Sequence, residues 1–255
     1  MTRLAMRLAP FVLLIAPLGA AGCGSNGSSP PSSLITATVE NQTRGGFVTV
    51  STVTPVFDPS NYVPNVTHPY LPLVPGTISR FASSSEAIEV EVLRERKTIL
   101  GVQTTVVHDR VFASGSLIED TLDWYAQDRE GNVWYLGEDS KSYQNGVVVS
   151  TKGSWEAGVN GAQAGIVMLA HPKIGDRYQQ EFSAGVAEDM ASIKSLDQNV
   201  TVPYGTFDHC VQTMEFTPLS PGNRGYKYYA AGVGLVLEVT PRGGQDRVEL
   251  VSVTP

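Results

Sequence analysis

The chemically densest stretch of the chain runs from Glu119 to Asp139, where Asp123-Trp124-Tyr125 and Val133-Trp134-Tyr135 flank the polar run Asp128-Arg129-Glu130-Gly131-Asn132. A hairpin turning on 128–132 sets the two aromatic pairs across from each other, with Trp124 and Trp134 on a shared face. Aromatic faces joined by a few polar groups suit sugars, apolar ligands or cations. Trp124, Tyr125, Trp134, Tyr135 and Trp155, with Asp123 and Glu156 as acids, therefore form a candidate ligand-binding set. The plainer alternative is a hairpin held by aromatic cross-strand pairs, because tryptophan and tyrosine are ordinary strand residues and Asp-x-Glu-Gly-Asn is ordinary turn chemistry.

The same turn offers oxygen ligands at alternate positions, as the opening of a calcium loop does. Gly131 falls too early for an EF-hand and Asp139 stands where the twelfth-position glutamate belongs. The metal candidate is thus an irregular calcium site drawn from Asp128, Glu130, Asn132, Glu138 and Asp139, and calcium is the one cofactor the sequence suggests. A second acidic set comprises Glu181, Glu188 and Asp189, preceded by His171 and Asp176. Two of these acids, or Asp123 with one of them, could do acid and base work if the fold placed them about 5 to 9 Å apart. Solvated carboxylates on an acidic protein are the plainer reading. His68, His108, His171 and His209 show no zinc spacing, and there is no Gly-x-Ser-x-Gly elbow, phosphate loop, dinucleotide fingerprint or Cys-x-x-Cys pair.

The beginning of the chain carries an address. Arg3 and Arg7 precede an apolar run, Leu8 to Leu18, interrupted by Pro10 and Pro17, and Ala20-Ala21-Gly22 leads into Cys23. The run is shorter than the roughly 20 residues a membrane span needs, so it reads as an export signal. Ala20-Ala21-Gly22-Cys23 resembles the lipobox of bacterial lipoproteins, with Ala20 where leucine is more usual. The resemblance implies that residues 1–22 are removed and that Cys23 becomes the acylated first residue, a lipid tie to the membrane. Plain secretion is the alternative. Gly24 supplies no acidic retention signal, so the resemblance further implies the outer membrane of a diderm envelope, facing the periplasm. The Gly-, Ser- and Pro-rich run 24–33 cannot bury apolar surface and is expected to be a flexible tether.

Removing the leader takes away two arginines and no acid, which moves the formal charge from −7 to −9. Such a balance lacks the basic footprint that nucleic acid requires. With Cys23 acylated, Cys210 has no internal disulfide partner, and its alternating surroundings mark it as a small buried hydrophobe.

The elements that must position these residues are strands. Ile88, Val90 and Val92 alternate with Glu89 and Glu91, and the same period of two recurs from Val102 to Val253, punctuated by turn signals such as Gly101, Gly115, Asn145-Gly146 and Pro221-Gly222-Asn223. The stretch Ala184 to Leu196 is ambiguous between helix and strand, and its neighbours favour strand. Phe47 to Val53 reads as an edge strand or an extended arm. Val200-Thr201-Val202-Pro203-Tyr204-Gly205-Thr206-Phe207 and Lys227-Tyr228-Tyr229-Ala230-Ala231-Gly232-Val233-Gly234-Leu235-Val236 resemble sequences of exported bacterial lipoproteins whose sheets curl into half-open barrels. Asn65 to Gly76 and Asp123 to Asp139 are similar to other recurrent parts of such proteins. That resemblance implies fold and location and carries no activity.

The expected organisation is a signal peptide (1–22), a lipid anchor with tether (23–60), and a single, mainly antiparallel β-domain (61–255) curled into a barrel or half-barrel. The function that follows is a non-catalytic binding or carrier lipoprotein for a small apolar or glycan ligand. An envelope hydrolase using paired carboxylates, or a calcium-binding structural lipoprotein, are the alternatives.

Overall fold

The computed structural model describes residues 38–39, 50–53, 56–240 and 246–255. Residues 1–22, Cys23 and the tether 24–33 lie outside them.

Period-two alternation has one structural consequence, a sheet with a wet face and a dry face, and here the sheet curls until its dry face is enclosed. The strand Ile78–Ala82 pairs with Glu86–Ile99, which pairs with Val102–Ala113, then Ser116–Asp128, then Val133–Gln144, each antiparallel to the last. On the other side a second meander runs from Met190–Val202 through Gly205–Phe216, Arg224–Ala230 and Gly234–Thr240 to Asp246–Thr254. The last of these returns to pair with Ile78–Ala82, with Leu250 opposite Phe81. Short strands complete the circuit: Gln163–Met168 pairs with Val133–Tyr135 and with Glu181–Phe182, and Arg177–Gln179 pairs with Met190–Ser192. The result is one mainly antiparallel sheet nearly closed into a barrel.

The ambiguous segment resolves by length. A turn at Ser183 to Ala187 precedes a single strand, Met190–Val202, which absorbs both Ile193 and Val200–Val202. Val50–Val53 pairs in parallel with Arg177–Tyr178, so the sheet reaches back into the stretch assigned to the tether. A separate hairpin, Val66–His68 with Leu71–Leu73, packs against the barrel. His68 pins it from a buried position: the Tyr70 backbone N–H donates to Nδ1 at 3.1 Å, which leaves the proton on Nε2 to be donated to the Leu169 carbonyl at 3.2 Å. Burial lowers the pKa of this imidazole, consistent with its neutral form.

Two places show where backbone, not side chain, dictates the residue. Gly137 has φ 137°, and any Cβ there would collide with the Trp155 carbonyl. It lies in a bulge, with register shifting between Tyr135 and Glu138, so that Tyr135 and Glu138 both sit on the face that carries Tyr125 and Asp123. Gly165 lies where the backbone of Gln179 and Gln180 crosses it, leaving no room for a methyl group.

Candidate functional site

The interior face follows from register. Val90 lies opposite Asp109, Val107 opposite Asp123, Thr105 opposite Tyr125, and Tyr125 opposite Tyr135. Residues paired across strands share a face, so Val90, Val107, Asp109, Asp123, Tyr125 and Tyr135 all look inward. From the other meander Thr213 pairs with Lys227 and Lys227 with Glu238, which places those three on one face as well.

An open pocket of about 900 Å³, its mouth included, occupies this interior. One part is apolar: Leu71, Pro72 and Leu73 of the pinned hairpin face Phe81, Val90, Val92, Val107, Val167, Val233 and Leu235. The other part is polar, with Asp109, Asp123, Tyr125, Gln180, Lys227 and Tyr229 in the wall. The mix of an apolar lining with a few convergent polar groups is characteristic of small-molecule sites.

In and behind the polar wall lies a belt of buried ionisable groups. Asp109, Asp123, Glu138, Glu181, Asp189, Glu215 and Glu238 are each at most 4% exposed, and Lys227 is the one lysine or arginine among the fully buried described residues. Lys227 Nζ stands 2.7 Å from Glu215 Oε2. Burial alone would lower the lysine pKa, but Glu215, Glu238 and Asp189 more than offset it, so the ammonium is held charged. The carboxyls respond in the opposite sense. Burial pushes Glu238 well above the ordinary carboxylate range despite Lys227. Burial, reinforced by Asp189, does the same to Glu181. Asp123 is pushed up to about 7 by burial, against the hydrogen bond from Tyr135 Oη at 2.5 Å and the charge of Lys227. For Glu181 and Glu238 burial favours the neutral acid, since an ionised, unpaired carboxylate would be far more costly to bury.

Linkage then fixes a pH dependence. A carboxyl whose folded pKa is raised gives stability that is whole below its unfolded pKa and lost as pH rises through its folded one. For Asp123 that window runs from 3.8 to about 7, and Glu181 and Glu238 add to the fall from above 4.5. Urea unfolding is expected to give a higher midpoint at pH 5 than at pH 8, and Asp123→Asn should flatten the part that ends near pH 7. A midpoint that rises from pH 5 to pH 8 would contradict the burial of neutral acids.

The structure divides the aromatic set drawn from the sequence. Asp123, Tyr125, Tyr135 and Trp155 form one cluster, with Tyr125 and Tyr135 rings 4.9 Å apart, Tyr135 and Trp155 5.4 Å apart, and Trp155 Nε1 donating to Glu181 Oε2 at 2.7 Å. Trp124 and Trp134 do share a face, the opposite one, and neither reaches the pocket. Trp124 lies under Lys97 Nζ, 3.2 Å from its ring centroid, and Lys97 in turn pairs with Glu156. Trp134 is packed by Phe57 and Tyr62 and donates its Nε1 to Asp128. Of the seven residues, Asp123 and Tyr125 line the pocket.

The calcium candidates do not converge. The Asp128 carboxylate accepts from the Asn132 backbone, the Asn132 amide and Trp134, so it staples the turn. Glu130 accepts from Asn61, Asp139 pairs with Lys141, and Glu138 is buried on the inner face. Among the described residues no group of three or more His, Cys, Asp or Glu side chains is placed to hold a metal ion. In the second acidic set, Glu188 accepts from the Gly185 backbone at a surface turn, while Glu181 and Asp189 are buried beside each other outside the pocket wall. Cys210 is fully buried.

Asp109, Gln180, Lys227 and Tyr229 are wall residues that the sequence does not single out as candidates for the site. Asp109 left a trace there, because it shares the inward phase with Val107 and Val111, where an acid is out of place. The lysine and the tyrosine are contributed by a strand roughly 100 residues away, which periodicity along one strand cannot reveal.

No protein-family model and no curated protein matches the chain. Among solved structures it is similar to the crystal structure of a "putative lipoprotein" from Parabacteroides distasonis, at 14% identity and a TM-score of 0.38, over 72% of this chain and 98% of that one.

Proposed function

We propose that this protein is a lipid-anchored protein of the bacterial envelope that binds or carries a small ligand with an apolar body inside its β-barrel. The pocket carries the reading: an apolar wall opposite a short polar arc, built from strands that close around it. The lipobox-like Ala20-Ala21-Gly22-Cys23 supports the anchor. Glu181, Glu188 and Asp189 lie outside the pocket wall, and the lining around Asp109 and Asp123 is predominantly apolar, which favours binding over catalysis.

Val107 projects into the pocket from one of the longest strands, opposite Asp123. Val107→Phe fills the apolar part, and the fluorescence enhancement of a naphthylamine probe on the wild-type protein is expected to fall at least fivefold in this variant. Equal enhancement in both would place the probe elsewhere and sink the pocket reading. For the anchor, Cys23→Ser should move the protein from the membrane fraction to the soluble one, or leave it unprocessed. A variant that stays membrane-bound at the wild-type mass would refute lipidation.

A further inference from the structure

We infer that the ligand of this pocket carries a cationic, hydrogen-bond-donating head group, an alkylammonium or its equivalent, received by Asp109, Asp123 and Gln180. The inference rests on the pocket reading and adds the chemical class of what enters.

The first observation is the balance of charge in the wall. Asp109 and Asp123 line the pocket from adjacent strands, in registers that make them diagonal neighbours on one face. Lys227 is the one cation in the wall, and its ammonium is already 2.7 Å from Glu215 with Glu238 opposite it across the strand pair. Its charge is spent inside the protein, so an anionic head would have to compete with carboxyls for it. A cationic head meets acceptors instead.

The second observation is independent of charge. Gln180 belongs to the same wall, is 2% exposed, and donates its Nε2 to Glu215 Oε1 at 3.2 Å. That bond sets the orientation of the amide, and its Oε1 accepts no hydrogen bond from the described residues. A buried acceptor without a donor costs roughly 1–3 kcal/mol. An N–H from a ligand would recover it. Tyr125 and Tyr229 add aromatic faces of the kind that favour ammonium groups.

Octylamine, octanol and octanoate share one chain length and differ only in the head, so they isolate the inference. Calorimetric titration of the full chain in lipid nanodiscs, with Val107→Phe as the blank for partition into lipid, should rank octylamine at least tenfold above octanol at pH 8, and octanoate last. Asp123→Asn should reduce the amine's advantage over octanol to threefold or less while octanol still binds. Should that variant fail to fold, the wild-type pH profile serves in its place. An alkylamine stays charged down to pH 5.5, so loss of the preference between pH 8 and pH 5.5 reports protonation of the wall. The groups that face Asp123 there are Asp109, Glu138, Glu181, Tyr125, Tyr135, Tyr229 and Lys227. Octanoate binding as tightly as octylamine would overturn the cationic head and leave the pocket standing. Failure of all three ligands to exceed the blank would overturn the pocket reading, and this inference with it.

Discussion

Replacing Lys227 with methionine is expected to cost about 3–5 kcal/mol, the usual consequence of removing one partner from a buried ion pair. Methionine fills nearly the same volume, so the loss comes from charge and not from a cavity. Glu215 and Glu238, each 1% exposed, would lose the ammonium they share. Burial already holds the Glu238 carboxyl well above the ordinary range, and without the lysine's charge, which pulls the other way, it would rise further. The deficit must therefore grow as pH rises, and be larger at pH 8 than at pH 5. At about 2–4 °C per kcal/mol for a protein of this size, the melting temperature should drop by roughly 6–20 °C at pH 8. Adding Glu215→Gln to Lys227→Met should cost less than the sum of the single changes, because the double variant removes both charges. Additive costs, or a deficit independent of pH, would show that the pair does not stabilise the barrel as described.

The second large effect needs no charge. Gly165→Ala would set its new methyl group against the carbonyl of Gln180 and 2.6 Å from the carbonyl oxygen of Gln179. Both contacts are backbone, so no rotamer change relieves them. A cost of about 3 kcal/mol or more is expected, at the upper end of what overpacking does. Gly115→Ala makes a useful contrast. Nothing lies within 4 Å of a Cβ there and only its φ of 77° resists substitution, so about 1–2 kcal/mol is expected. Gln180 is also a wall residue, and Gly165→Ala should weaken probe binding as well as lower the urea midpoint. Equal midpoints for the two alanine variants would mean that the crossing of strand 163–168 by residues 179–180 is looser than the structure has it.

Much of the fold was legible because alternation is a local signal. Ile88, Val90 and Val92 against Glu89 and Glu91 state directly which face is dry, and the turns at Gly101, Gly115 and Asn145-Gly146 sit at the ends of the strands they were read to separate. The site was legible only in part, for two physical reasons. Pairing Tyr125 with Tyr135 correctly sets Trp124 and Trp134 on one face, but sequence alone does not say whether that face is the enclosed one. The bulge at Gly137 then changes the phase, so Glu138 turns inward beside Tyr135 and the run Glu138-Asp139 no longer belongs to the turn that begins at Asp128. Lys227, which carries Glu215 and Glu238 with it, comes within electrostatic range of Asp123 only because the two meanders close on each other, with Leu250 coming back to Phe81. Contacts that depend on closure have no signature within any one strand.

The central claim is that the enclosed face of the barrel receives a small amphipathic molecule. Methyl-resolved NMR of the full chain in nanodiscs, titrated with octylamine, tests it most directly, because it reports where the molecule goes as well as whether it binds. Saturable shifts are expected at the methyl groups of Val90, Val92, Val107 and Leu235, with Val147, Val148 and Val149 of the exposed 147–150 strand unmoved. Shifts confined to those exposed valines, or none at the interior four, would contradict the account.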